Sequence, residues 1–132
     1  MGDAVLRLFG SVCRDAETSQ MVVGRLGGDE FGIYLNRTDS EVAETFTNQL
    51  TRRFSASCHE TTNGRLKASV SAGISLAKPA HSIERALEVA DQGVYRAKRN
   101  NHARVVVLRL NKSGRVSAVE NQGYGKLRTA PL

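Results

Sequence analysis

Two adjacent glycines, Gly27 and Gly28, stand between two short runs of β-forming residues, and this pairing constrains the fold more than any other feature. The first run lies in Gln20 to Arg25, around Met21-Val22-Val23; the second is Phe31 to Leu35. Glycine reaches positive φ without steric cost, so the spacing predicts a hairpin with antiparallel strands on either side of the turn. Asp29 and Glu30 fall at that turn. Successive residues of a strand point to opposite faces, whereas at a turn two side chains converge on one site. With no side chains on the glycines, a polyphosphate can approach the backbone closely. Two neighbouring carboxylates supply hard oxygen ligands for Mg²⁺ or Mn²⁺, and such a metal lowers the pKa of an attacking hydroxyl. A solvent-exposed hairpin tip is the alternative reading of the same residues.

Other periodicities fill in the order of elements. Val5, Leu8, Phe9 and Val12 recur at helical spacing, predicting an amphipathic helix over 3–14. Thr38 and Glu41 have capping-box spacing, and Val42/Ala43, Phe46, Leu50 and Phe54 continue the pattern, so a second helix is expected over 39–54. Residues 55–65 read as polar and turn-rich. Strict alternation follows: Leu66, Ala68, Val70, Ala72, Ile74 and Leu76 on one face, with Lys67, Ser69, Ser71, Gly73 and Ser75 on the other, which predicts a strand ended by Pro79. Ser82 is placed as an N-cap for a helix to Arg99 whose apolar face is Ile83, Ala86/Leu87, Ala90, Val94 and Ala97. A strand is expected over Ala103–Leu110, a turn at Asn111–Gly114 and a short strand at 115–119, ahead of a tail containing Gly123, Gly125 and Pro131. Helix, hairpin, helix, strand, helix, strand is an α+β order.

The chain has 132 residues, 24% of them charged, which suits one soluble domain. No apolar run approaches the roughly 20 residues that span a bilayer. The N-terminus carries no basic segment followed by an apolar stretch, so a cytoplasmic location is expected. Cys13 and Cys58 are read as reduced, partly buried thiols, and His59, His81 and His102 as scattered surface residues rather than metal ligands. Residues 92–132 hold nine Lys/Arg against one acid, Glu120, while residues 1–91 hold ten Lys/Arg against twelve acids. Such a basic end either is solvated or meets an anionic partner. Nucleic-acid binding is not expected, because beyond residue 100 only Tyr124 offers a stacking ring.

Four segments together resemble the GGDEF domain, the diguanylate cyclase family. They are Gly2-Asp3-Ala4-Val5-Leu6, Arg25-Leu26-Gly27-Gly28-Asp29-Glu30-Phe31, Ser69-Val70-Ser71-Ala72-Gly73-Ile74, and Ala90-Asp91-Gln92-Gly93-Val94-Tyr95-Arg96-Ala97-Lys98, in family order over about residues 2–108. The resemblance implies a nucleotide-cyclase-like, ferredoxin-like palm: an antiparallel-rich sheet with flanking helices. It implies an activity in which two GTP molecules condense into cyclic di-GMP and pyrophosphate. Asp29 and Glu30 would be the catalytic and Mg²⁺- or Mn²⁺-binding acids. Gly27 and Gly28 would lie against GTP, Asp3 would bond the guanine edge and Lys98 would neutralise terminal phosphates. A homodimer, or pairing with another GGDEF or signalling domain, is expected for activity. Asp3 is alternatively a helix N-cap and Lys98 a surface lysine; Arg25 is read as pairing locally at the hairpin, outside catalysis.

The sequence also departs from the family pattern. Members carry an Asp-x-Asp-x-Phe-Lys strand upstream of Gly-Asp, interior to the sheet; here Met1 directly precedes Gly2. That strand holds a further metal-binding aspartate. The expectation is therefore a partial GGDEF domain over 1–110, its first central strand missing, followed by a basic tail at 111–132. By itself such a chain is expected to be catalytically silent. The 115–119 segment or a partner chain is a candidate to fill the gap by strand addition. His102 stands where the family places a phosphate-binding Arg, with Arg99 or Arg104 as substitutes. Thr18-Ser19-Gln20-Met21 occupies the register of an Arg-x-x-Asp inhibitory site, so product inhibition there is not expected. The alternative function is a non-catalytic relic that binds GTP or a signalling partner.

Overall fold

The computed structural model describes residues 2–36, 38–99 and 105–119. Their order is α1 (Asp3–Asp15), β1 (Met21–Gly27), β2 (Glu30–Leu35), α2 (Ser40–Thr61), β3 (Ala72–Leu76), α3 (Ile83–Arg99), β4 (Val105–Leu110) and β5 (Val116–Ala118). The architecture is α+β, as expected. Contacts divide it into two compact units: Met1–Thr38 with Asn48–Val70, and Asp39–Thr47 with Ser71–Leu132.

In the first unit the helical spacing of α1 buries Phe9, Val12 and Cys13. Phe9 meets Phe54 edge-on, with ring centroids 5.2 Å apart. β1 and β2 form the expected antiparallel hairpin, from Met21 opposite Leu35 to Gly27 opposite Glu30. α2 corrects the expectation of a helix ending at 54. Its apolar stripe continues from Leu50 and Phe54 to the fully buried Cys58, and the chain leaves the helix only at Asn63 and Gly64, at φ 53° and 76°. Its start is capped by Asp39, whose Oδ1 accepts the Val42 N–H at 2.8 Å, so Thr38 is not the cap.

The alternating run also corrects. Only Ala72–Leu76 is strand, because that is the length paired with β4 in parallel register, Ala72 opposite Val105 to Leu76 opposite Arg109. Earlier in the run, side chains of α2 and of the residue after it satisfy the backbone instead. The Ser55 hydroxyl donates to the Ala68 carbonyl at 3.1 Å, and the Thr62 hydroxyl accepts the Leu66 N–H at 3.1 Å.

In the second unit α3 packs on the β3–β4–β5 sheet. Ser82 caps it as expected, its Oγ accepting the Arg85 N–H at 3.1 Å. Its buried stripe is Val89, Gly93 and Ala97, whereas Ile83 and Leu87 are exposed. Of the expected face Ala97 is buried and Ala86, Ala90 and Val94 are half-buried; the buried stripe is centred on Gly93 because the helix approaches β3 backbone to backbone there. A Cβ on Gly73 would fall on the Ala90 carbonyl oxygen, and a Cβ on Gly93 would lie 2.8 Å from the Gly73 Cα. The core there is Val89, Leu108 and Leu110, flanked by Val106 and Val116. β5 pairs antiparallel with β4. The 115–119 segment therefore extends the β4 edge, and among the described residues β3 has no strand on its other side. The described strands form a two-stranded and a three-stranded sheet. His81 is structural: Nδ1 accepts the Lys78 N–H at 3.0 Å and Nε2–H donates to the Asn111 carbonyl at 3.0 Å. His102, Arg104 and the tail beyond Val119 lie outside the described residues.

Candidate functional site

The signature turn is built from its flanks inward. Phe31 packs on Phe9 with ring centroids 4.8 Å apart, an edge-on pairing that adds about 0.5–1.5 kcal/mol to the burial itself. This fixes the base of β2 directly after Glu30. Gly27 and Gly28 carry φ of 151° and 51°, conformations that L side chains rarely adopt. Nothing lies within 4 Å of a Cβ built on either glycine, so their backbone is open to a ligand. Across the turn, the Arg25 guanidinium donates to the Gly28 carbonyl oxygen through Nε at 2.9 Å and also through Nη2. Asp29 and Glu30 are exposed. Among the described residues the ion pairs are Arg7–Asp3 and Arg85–Glu88, and neither turn acid takes part in one.

Asp29 borders a cleft of about 400 Å³ within the first unit. Gly2 and Val5, at the start of α1, line it together with Leu66, Lys67, Ala68 and Ser69. Gly2 is the N-cap of α1 and offers no side-chain cap bond. A helix N-terminus points unpaired N–H groups and a partial positive charge outward, which suits an anion. Lys67 and Ser69 are cleft residues that sequence reasoning placed on the polar face of the alternating run without assigning them to the site. The signals were that Ser69 opens the Ser69–Ile74 motif and that Lys67 shares its face of the alternating run.

The remaining predicted residues are placed as follows. Asp3 is the first residue of α1, not its N-cap, and its carboxylate pairs with Arg7 at 3.1 Å. Lys98 lies exposed in the last turn of α3, beside Arg96 and Arg99, in the second unit. Arg99 stacks over the Tyr95 ring, 5.6 Å from its centroid. Cys13 and Cys58 are free and buried, and burial pushes the Cys13 thiol from 9.0 up to about 11, which suits an inert core residue. The turn carboxylates fit a hard divalent cation in ligand type. No group of three or more His, Cys, Asp or Glu that could hold a metal occurs among the described residues. A cation here would draw its other ligands from water and phosphate, as Mg²⁺ commonly does.

An antiparallel hairpin tipped by open glycines and two free acids, beside a cleft at a helix N-terminus, is the arrangement of one class of signalling domain. The chain belongs to the GGDEF domain family: the family model "Diguanylate cyclase, GGDEF domain" matches residues 1–104. It is similar to diguanylate cyclase DgcP of Pseudomonas aeruginosa, 30% identical over 106 residues, 80% of this chain and 16% of that protein. It is also similar to a diguanylate cyclase of Vibrio cholerae, 31% identical over 109 residues, 82% of this chain and 33% of that protein. The chain thus spans a third or less of these relatives' length. No described helix is long and apolar enough to cross a membrane.

Proposed function

We propose that this domain binds GTP with Mg²⁺ or Mn²⁺ at the Gly27–Glu30 turn and serves cyclic di-GMP synthesis as one half of a two-domain site. The observation that carries this reading is the turn itself: Gly27 and Gly28 hold their positive φ, and Asp29 opens on the cleft beside them. Asp29 and Glu30 hold the cation, Asp29 lies near the nucleophilic 3′-hydroxyl, Gly27 and Gly28 lie along the phosphates and Asp3 bonds guanine. When bound, the cation offsets phosphate charge and acidifies the attacking hydroxyl.

In the full reaction two such domains face each other, each with one GTP. Each 3′-oxygen forms a bond to the α-phosphorus of the opposite nucleotide as the bond to the β-phosphate oxygen breaks. Pyrophosphate leaves and the hydroxyl proton is released. The protein's share is to orient the two nucleotides and stabilise developing charge. Domain pairing, in a homodimer or with another signalling domain, supplies the second nucleotide.

The 132-residue chain alone is proposed to bind nucleotide without turning it over, since the turn contributes two acids and no third ligand joins them among the described residues. The same observation favours the second reading, a non-catalytic module that binds GTP or a signalling partner. Incubation with GTP and Mg²⁺, read by cyclic di-GMP formation and by calorimetric GTP binding, tests both. Expected are Mg²⁺-dependent binding weakened at least tenfold by Asp29→Ala, and no product. Turnover that Asp29→Ala abolishes overturns the silence of the isolated chain; absence of any GTP binding overturns the nucleotide reading.

A further inference from the structure

Arg25 makes an unusual contact for an exposed arginine next to two acids. Its guanidinium makes no ion pair with Asp29 or Glu30 among the described residues and closes instead on a backbone oxygen. That oxygen is the Gly28 carbonyl, taken by Nε at 2.9 Å and by Nη2 of the same fork. The acceptor belongs to the peptide that joins Gly28 to Asp29. No cis peptide bond occurs among the described residues, so this planar unit directs its C=O and N–H to opposite sides. Fixing the carbonyl toward Arg25 therefore directs the Asp29 N–H away from it.

On the glycine side the ladder ends at Gly27 opposite Glu30, leaving Gly28 and Asp29 unpaired in the strand register. Gly27 and Gly28 have no neighbour within 4 Å of a Cβ position, and glycine moves between positive and negative φ at little cost. The strand register is irregular between Arg25 and Gly27. On the other side Phe31 is anchored on Phe9. The turn is thus held firmly after Glu30 and loosely before Asp29, and the two-pronged contact from Arg25 closes the loose side.

We propose that Arg25 is a positioning residue: it sets the orientation of the Gly28–Asp29 peptide and so decides where Asp29 presents its N–H and its carboxylate. Its consequence for nucleotide binding rests on the function proposed above. A phosphate at the open glycines then meets a donor aimed outward, while both acids stay free for a cation. Lysine keeps the charge of Arg25 but has no planar fork, so the proposal separates charge from geometry.

The test uses the 132-residue chain with Arg25→Lys and Arg25→Ala. In the ligand-free protein, ¹H–¹⁵N spectra are expected to show the Gly28 and Asp29 amide resonances displaced in both variants, with those of α1 unmoved. Titration with Mg²⁺–GTP is expected to show affinity about fivefold weaker in both variants, the scale of a charged hydrogen bond reduced by exposure. Melting temperature serves as the control, because a purely structural role lowers it without changing the affinity of folded protein. Arg25→Lys spectra that overlay the wild type overturn the proposal, since charge alone would then suffice. Displaced amides with unchanged affinity overturn its consequence for the site. If the wild type binds no Mg²⁺–GTP, the nucleotide reading fails, and the amide displacements still decide the role of Arg25.

Discussion

At Gly28 the backbone turns through a φ of 51°, and a Cβ added there meets nothing within 4 Å. The demand for glycine is therefore conformational. An L side chain in the left-handed region costs roughly 1–2 kcal/mol. Gly28→Ala is expected to destabilise the domain by about 1 kcal/mol in urea unfolding, and Gly28→Asn by less, because Asn tolerates that region. Gly73 belongs to another of the recognised motifs, but its requirement is space: Ala90 and Gly93 of α3 sit against it. Asp3 shows a third situation. Its place before a helix suggested a cap, yet Gly2 takes that position and Asp3 pairs with Arg7, at a well-exposed site. Such a pair contributes little to stability, so Asp3 is free to be tested as a ligand.

Among the elements, α3 and β3 explain two of the four motifs by packing. Val89, Gly93 and Ala97 form the buried stripe of the helix, and the absence of side chains at Gly73 and Gly93 lets helix and strand backbones touch. Gly73→Ala is expected to cost about 3 kcal/mol, the upper end of overpacking, read as a lowered urea midpoint with nearly unchanged m-value. Gly93→Ala should follow the same direction. Local signals marked α1, the hairpin and the Ser82 cap, because periodicity, positive-φ glycines and a capping hydroxyl act within a few residues. The end of α2 was missed. Ser55, His59 and Glu60 make that stretch look like a loop, while Cys58 continues the stripe of Leu50 and Phe54 into the core. β3 was drawn too long for the converse reason: alternation continues back to Leu66, but a strand exists only where a partner strand runs, and Ser55 and Thr62 satisfy the earlier backbone.

For the whole molecule, the buried thiol gives a pH dependence with a defined sign. The Cys13 thiol ionises at about 11 in the folded protein against 9.0 for an unburied thiol, because burial penalises the thiolate. A raised acid is stabilising while both states hold the proton, below about 9. That stability is lost as pH rises toward 11, when the unfolded chain ionises first. Two pH units correspond to about 2–3 kcal/mol. Denaturant unfolding at pH 8 and pH 11 should show this loss in the wild type, and Cys13→Ala should lack it, whatever other groups titrate.

The family, the hairpin and its two acids were determined by the sequence alone, since a glycine turn and a four-motif order need no knowledge of distant contacts. Only the tertiary structure decided that Lys67 and Ser69 share a cleft with Asp29, that α3 buries its small residues, that the described strands form two sheets and that Arg25 grips the Gly28 carbonyl. These depend on which segments meet in space. A polar strand face, a stripe of small residues and an arginine beside two acids each have several local readings, and the long-range packing selects among them.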